Sequence, residues 1–180
     1  MSYILDDENC PPGIAAIFAR SPTALSLASE TLADRPLVAI NESFCKATGY
    51  TSDDVLGRNC RFLQPPGGAG PVRGRIRSFL DDDDVGEQRF VIPNVTKYGD
   101  SFLNIVYMAK IRHPRLGGYV LGSQFALRTG GERAAAYERA LREDLTSLSD
   151  ILSESDWMLL GSMQAIANTS ALVARHKIEG

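Results

Sequence analysis

The sequence is short of the residues that build metal centres and disulfide frameworks. Its 180 residues include three cysteines and two histidines, and aromatic residues make up only 8%. The cysteines, Cys10, Cys45 and Cys60, are odd in number and widely spaced, and no Cys-x-x-Cys pair occurs. This pattern argues against a zinc site and against a disulfide framework. We therefore expect a reducing compartment in which each thiol behaves according to its surroundings.

Long apolar runs and an excess of positive charge are also missing. No apolar stretch approaches the roughly 18 residues that a membrane-spanning helix needs. The formal net charge is −3 and there is no dense run of Lys and Arg, which disfavours a general binder of nucleic-acid phosphates. The first residues are acidic where a secretory signal would be basic. These absences predict a soluble, cytoplasmic protein without a nucleic-acid or membrane partner.

What the sequence does contain is an ordered series of short secondary-structure patterns. Two short β-like runs are followed by several short helices and then by three longer strand-like segments. This order predicts an α+β fold, a five-stranded antiparallel sheet with short helices on one face. We divide the chain into an N-terminal cap helix (1–21), a core (22–128) and a C-terminal helical extension (129–180).

The extension carries two rows of apolar residues at helical spacing. The first row is Leu141, Leu145, Leu148 and Leu152, and the second is Leu159, Met163, Ile166 and Val173. Two amphipathic helices outside a sheet domain must bury these rows against something. A homodimer interface is the favoured interpretation, and packing against the chain's own sheet is the alternative.

The densest chemical signal is the segment Gly-Arg-Asn-Cys-Arg-Phe-Leu-Gln at residues 57–64. It brings a thiol, a guanidinium and two carboxamides together within a turn or two of helix. Carboxamides suit the edge of a heterocycle with alternating N–H and C=O groups, and arginine suits a phosphate. Further polar side chains come from other predicted elements, namely Arg77, Asn94, Asn104 and Gln124. The sequence offers no Ser-His-Asp set, catalytic carboxylate pair or Walker loop.

At these residues the sequence resembles LOV domains, the flavin-binding blue-light sensors of the PAS superfamily. The segment 57–64 matches the family signature at every position, and the resemblance extends over residues 22–127. It implies the PAS/LOV fold. Because no effector domain is recognisable, the chain is most similar to the short LOV proteins, in which helical caps flank a sensor core.

The resemblance implies a role for each residue of the predicted site. Cys60 would bond reversibly to the C(4a) carbon of the flavin on illumination, and Arg61 and Arg77 would hold the phosphate of flavin mononucleotide (FMN). Gln124 would turn its amide when flavin N(5) gains a proton and relay that change to the flanking helices. Polar contacts to the ring and ribityl chain would come from Asn59, Gln64, Asn94 and Asn104, and the ring pocket would be lined by Leu63, Val106, Met108 and Gly122.

Three positions depart from the family pattern, and other functions remain open. Ser26, Ala28 and Arg35 stand where the family often has Val, Thr and Asn, which leaves flavin affinity and dark-recovery rate undetermined. One alternative is a light-independent flavin-binding redox sensor or flavoenzyme, and a second is the remnant of a sensor kinase. An enzyme would need an acid or a base beside the flavin, and the predicted pocket offers amides and apolar groups instead. We therefore expect no enzyme activity, a homodimer, and an unidentified downstream protein partner.

Overall fold

The computed structural model describes residues 11–127 and 131–160, and in the last helix the side chains from residue 136 onward. The helices are α1 (Ile14–Arg20), α2 (Glu42–Thr48), α3 (Ser52–Val55), a 3₁₀ helix (Cys60–Leu63), α4 (Val72–Asp81) and α5 (Gly131–Leu152). The strands are β1 (Ala24–Ser29), β2 (Leu37–Ile40), β3 (Glu87–Val95), β4 (Ser101–His113), β5 (Gly117–Ala126) and β6 (Met158–Leu160). The predicted α+β class and the PAS/LOV arrangement are confirmed.

Local signals in the sequence fix the start and end of the short helices. The Asn41 side chain accepts a hydrogen bond from the Phe44 N–H at 3.0 Å and so caps α2. Gly49 follows the helix with φ of +79°, a conformation in which glycine ends helices without strain. The same Asn41 oxygen accepts from the Leu25 N–H at 2.9 Å, which ties the start of α2 to β1.

The sheet is antiparallel throughout and its strand order is β2-β1-β5-β4-β3. A sixth strand, β6, pairs with β4 just beyond Glu87, the first residue of β3, so the expectation of five strands is corrected to six. Trp157 explains this addition, because its buried ring packs against His113 and Tyr119 at centroid distances of 5.0 and 5.6 Å. This contact holds the segment after α5 against the sheet.

The prediction of a second amphipathic helix is therefore wrong for the first residue of its apolar row. Leu159 lies in β6, opposite Ile111 of β4, and not on a helix. The other members of that row, Met163, Ile166 and Val173, lie outside the described residues.

Helices cover both faces of the sheet. The short helices lie on the inner face, as predicted, where Leu63 and Phe79 join the buried clusters. The outer face, which we expected to be open, is covered by α1 and α5. Its buried cluster includes Ile14, Ile17 and Phe18 of α1 and Leu25, Leu27, Tyr107 and Leu121 of the sheet.

The first leucine row belongs to this outer layer and is not a dimer interface. Leu141, Leu145, Leu148 and Leu152 are each at most 1% exposed within the single chain. The strands explain why, since alternate residues of β1, β4 and β5 give the sheet an apolar outer face that needs a cover. The homodimer interpretation of this row was wrong, and the alternative of packing on its own sheet is confirmed.

A buried polar cluster fixes α5 to the turn between α1 and β1. The Ser21 hydroxyl donates to the Asp144 carboxylate, and the Thr23 hydroxyl donates to the same oxygen at 3.2 Å. Burial raises the pKa of the Asp144 carboxyl. Because Thr23 directly precedes β1, this cluster connects the last helix to the strand that lies beside β5.

The outer layer makes α5 part of the folded core, which can be tested by substitution. Leu145→Ala removes a fully buried side chain and should lower the free energy of unfolding by about 2–5 kcal/mol in urea denaturation. Arg142→Ala, on the exposed side of the same helix, should change it by no more than about 0.5 kcal/mol. Equal, small effects from both substitutions would contradict the docking of α5 on the sheet.

Candidate functional site

A pocket lies between the inner face of the sheet, the 3₁₀ helix and α4. The space free of protein atoms between these walls, including open solvent at the mouth, is about 800 Å³. All predicted site residues except Arg77 line this inner pocket: Asn59, Cys60, Arg61, Leu63, Gln64, Asn94, Asn104, Val106, Met108, Gly122 and Gln124. Residues from β3, β4, β5 and the 3₁₀ helix thus meet in one place.

Sequence reasoning missed part of the apolar lining. The pocket also contains Leu37, Ile76, Leu80, Ile92 and Val120, together with the three family departures Ser26, Ala28 and Arg35. Strand alternation could have found two of them, because Ile92 and Val120 lie two residues from Asn94 and Gly122 and share their faces. Helical spacing could have found Ile76 and Leu80 of α4, because residues four apart lie on the same side of a helix.

The turn that carries Cys60 is held by its neighbour. The Asn59 side chain caps the 3₁₀ helix by accepting from the Arg61 N–H at 3.0 Å. Its amide nitrogen donates to the backbone carbonyls of Asp34 and Arg35 in the loop between β1 and β2. Asn59 therefore lines the pocket while its amide fixes the position of Cys60 against that loop.

The Cys60 side chain is half-buried and lines the pocket. Burial raises the pKa of this thiol to about 12, so the group is protonated at neutral pH. An ordinary redox switch depends on a thiolate, which forms where nearby positive charge or exposure lowers the pKa. The arrangement disfavours that chemistry and leaves a neutral S–H group beside the pocket.

Two amide oxygens on the pocket wall are buried without a partner among the protein atoms described. They are Asn104 Oδ1 and Gln124 Oε1. The remaining amide atoms are engaged, because Asn104 Nδ2 donates to Asn94 Oδ1 and Gln124 Nε2 donates to Ser26 Oγ, each at 2.8 Å. A buried acceptor without a donor costs about 1–3 kcal/mol. The pocket therefore suits a ligand whose polar edge supplies donors as well as acceptors, which a flavin ring does.

The mouth of the pocket is lined by arginines. An outer cleft adjoins the pocket, shares Arg61 and Gln64 with it, and adds Arg73 and Arg77 of α4. Arg61 pairs with the Asp34 carboxylate and Arg35 pairs with Asp81 at 2.9 Å. Within residues 11–127, Arg73 and Arg77 form no ion pair and are exposed at the cleft, so an anionic group can bind there.

Arg73 was missed from the sequence, although its spacing to a predicted residue was visible. It lies four residues before Arg77 on α4 and therefore on the same side of the helix. The cleft thus has more positive charge than the two predicted arginines supply.

Comparison with protein families and curated sequences gives a consistent result. The PAS domain family matches residues 26–125. The chain is 35% identical over 99 residues to the "Blue light receptor lreA" of Aspergillus flavus, covering 49% of this chain and 11% of that protein. It is 33% identical over 92 residues to a "Blue-light-activated histidine kinase" of Brucella anthropi, covering 51% and 18%. The matched region thus spans less than a fifth of these relatives.

Solved structures match over almost the whole chain. The RsLOV d2 variant is 32% identical, with a TM-score of 0.78, and the alignment covers 98% of this chain and 99% of that one. The Rhodobacter sphaeroides LOV protein is 29% identical, with a TM-score of 0.76 and coverages of 97% and 100%. The light-state dimer of the fungal blue-light photoreceptor Vivid is 32% identical, with a TM-score of 0.51 and coverages of 58% and 77%.

The arginine-lined mouth predicts a ligand preference. Replacing both Arg61 and Arg77 with alanine should weaken binding of FMN far more than binding of riboflavin, because riboflavin lacks the phosphate. Each charge-assisted contact is worth about 1.5–3 kcal/mol, and flavin fluorescence titration measures both affinities. Arg75→Ala is the matched control, since Arg75 lies on α4 over the Phe90 ring and outside the cleft. Equal losses for FMN and riboflavin would show that the two arginines do not hold phosphate.

Proposed function

Since the chain belongs to the LOV domains of the PAS superfamily, we propose that it is a blue-light photoreceptor with FMN in the pocket between the sheet and α4. The phosphate would lie among the arginines of the outer cleft, and the ring would lie among the amides and apolar residues of the inner pocket. The observation that carries this proposal is a pocket whose lining combines the Cys60 thiol with two unpartnered amide oxygens, Asn104 Oδ1 and Gln124 Oε1.

The proposed chemistry belongs to the thiol and its surroundings. Bound flavin supplies blue-light absorption and an electrophilic carbon, C(4a), next to nitrogen N(5). After illumination the Cys60 sulfur forms a bond to C(4a), and the thiol hydrogen goes to N(5). In darkness that bond breaks and the hydrogen returns to sulfur. The raised pKa of Cys60 supports this cycle, because the thiol must keep its hydrogen until light arrives.

Gln124 is proposed to carry the change out of the pocket. A hydrogen gained at N(5) turns an acceptor into a donor, which favours the opposite orientation of the Gln124 amide. Ser123, the preceding residue of β5, points to the other face of the sheet, and its hydroxyl lies 3.0 Å from the Tyr137 hydroxyl of α5. A shift of β5 at Gln124 therefore reaches the helix on the outer face.

The alternatives have less support from the pocket. Among the described residues that line the inner pocket, none is His, Asp, Glu or Lys, the usual general acids and bases of a flavoenzyme. Some relatives are histidine kinases, and the matched region covers only 18% of the one from Brucella anthropi. A thiol-based redox switch is disfavoured by the raised pKa of Cys60.

We also propose that two copies of the chain associate and that the protein acts in the cytoplasm through a downstream protein partner. Association is supported by the Vivid light-state dimer among the similar structures and by the apolar row at Met163, Ile166 and Val173. The free thiols of Cys45 and Cys60 support a reducing compartment. No helix in the described parts of the chain is long and apolar enough to cross a membrane.

The thiol assignment predicts a loss of photochemistry without a loss of flavin. Cys60→Ala should remain yellow because the pocket survives, and it should not bleach under blue light because the nucleophile is gone. Cys45→Ala is the matched control, since this second half-buried thiol lies on α2 and outside the pocket lining. Absorption spectra before and after illumination measure both effects. Reversible bleaching in Cys60→Ala would disprove the adduct.

The association proposal predicts a dimer whose contacts include the second apolar row. Light scattering should report a dimer for the full chain in darkness. Ile166→Asp should shift the mass towards a monomer while the protein stays yellow, because a carboxylate in an apolar interface is costly to bury. Asn168→Asp, a polar position in the same segment, should leave the mass unchanged. A monomer in both darkness and light would rule out the homodimer.

A further inference from the structure

Ser26 is the only described side chain that hydrogen-bonds the Gln124 amide. It lies on β1, one strand away from Gln124 on β5, and its Oγ accepts from Gln124 Nε2 at 2.8 Å. Both side chains line the pocket, and they are 4% and 8% exposed, respectively.

The backbone opposite Ser26 leaves room for its hydroxyl. Gly122 is the cross-strand partner of Ser26, and a Cβ atom at Gly122 would lie 2.7 Å from Ser26 Oγ. Only glycine at position 122 therefore allows the serine side chain its present place. The Gly122 carbonyl lies 3.5 Å from the same oxygen, a long contact that binds the hydroxyl hydrogen weakly.

We infer that Ser26 is a positioning residue that hydrogen-bonds the Gln124 amide in both of its orientations. A hydroxyl accepts from the amide N–H in one orientation and, after rotation of its own hydrogen, donates to the amide oxygen in the other. The inference rests on the proposed function, because that function requires the Gln124 amide to turn. The valine that the family often has at this position can do neither, so the amide is anchored differently in this chain.

This role has a chemical consequence for the two states of the pocket. With serine present, both orientations keep a hydrogen bond to β1, and turning the amide does not leave a buried polar atom facing an apolar side chain. Without the hydroxyl, the amide loses that bond in either state. The expected result is an amide that is less well ordered in darkness and a weaker, less uniform response of its vibrations to light.

The test compares Ser26→Ala with the unsubstituted full chain, both loaded with FMN. In darkness, NMR should show the Gln124 side-chain amide hydrogens exchanging about fivefold faster in Ser26→Ala, the change expected for one lost hydrogen bond of about 1 kcal/mol. In light-minus-dark infrared spectra, the Gln124 amide band, identified by its absence in Gln124→Leu, should lose amplitude in Ser26→Ala.

Two comparisons separate positioning from general damage. Ser29→Ala removes another buried hydroxyl of β1, which contacts Thr31 and lies outside the pocket lining, and it should leave the Gln124 signals unchanged. Threonine and valine have nearly the same shape, so Ser26→Thr and Ser26→Val differ mainly in the presence of a hydroxyl. Only Ser26→Thr should show the slow exchange and the full band. This pair also carries the test if Ser26→Ala does not fold.

The outcomes distinguish this inference from the proposed function. If the unsubstituted protein bleaches reversibly but Ser26→Ala and Ser26→Val keep its exchange rate and amide band, the role of Ser26 is wrong and the photoreceptor stands. If the unsubstituted protein binds FMN and does not bleach, the proposed function is wrong. Faster exchange in Ser29→Ala equal to that in Ser26→Ala would also overturn the role of Ser26, since the effect would then be unspecific.

Discussion

The fold depends on a sheet with two buried faces, an apolar outer face and an inner face that carries both apolar and amide side chains. Each face must be covered, and the chain covers them differently: short helices on the inner face leave a pocket, whereas α1 and α5 pack closely on the outer face. The difference follows from the elements themselves, since α2, α3 and the 3₁₀ helix are too short to close the inner face, and α5 is long enough to cross the outer one.

Patterns local in the sequence predicted most of this structure. Helix caps such as Asn41 and Gly49, turn glycines and strand alternation depend on neighbouring residues, so the element order followed from them. The residues of the pocket lining followed instead from the resemblance to LOV domains. The position of α5 did not, because an amphipathic row such as Leu141 to Leu152 shows that a helix has a buried side and does not show against what. The strand β6 was missed since three residues carry too little periodicity, and Trp157 acts through tertiary contacts.

The pocket wall combines apolar side chains with polar atoms whose hydrogen bonds a ligand would complete. Its unpartnered acceptors, Asn104 Oδ1 and Gln124 Oε1, cost stability in the protein alone and give binding energy and orientation when a donor arrives. The sequence could identify these amides but could not show which of their atoms are already engaged, such as Asn59 Nδ2 on the Asp34 carbonyl. Which amide atoms bond within the protein and which are left for a ligand depends on contacts between elements that are distant in the sequence.

The alternation of side chains along each strand, which gives the sheet its two covered faces, also connects the pocket to α5 on the outer face. Successive residues of a strand point to opposite sides, so Gln124 contacts Ser26 in the pocket while Ser123 contacts Tyr137 on α5. On the neighbouring strand, Ala24 pairs with Gln124, and Thr23, just before it, contacts Asp144 of α5. Two short paths, each made of backbone and hydrogen bonds, therefore connect Gln124 to α5. The proposed rotation of the Gln124 amide would act on α5 through packed strands, where a small displacement cannot be absorbed without moving a buried neighbour.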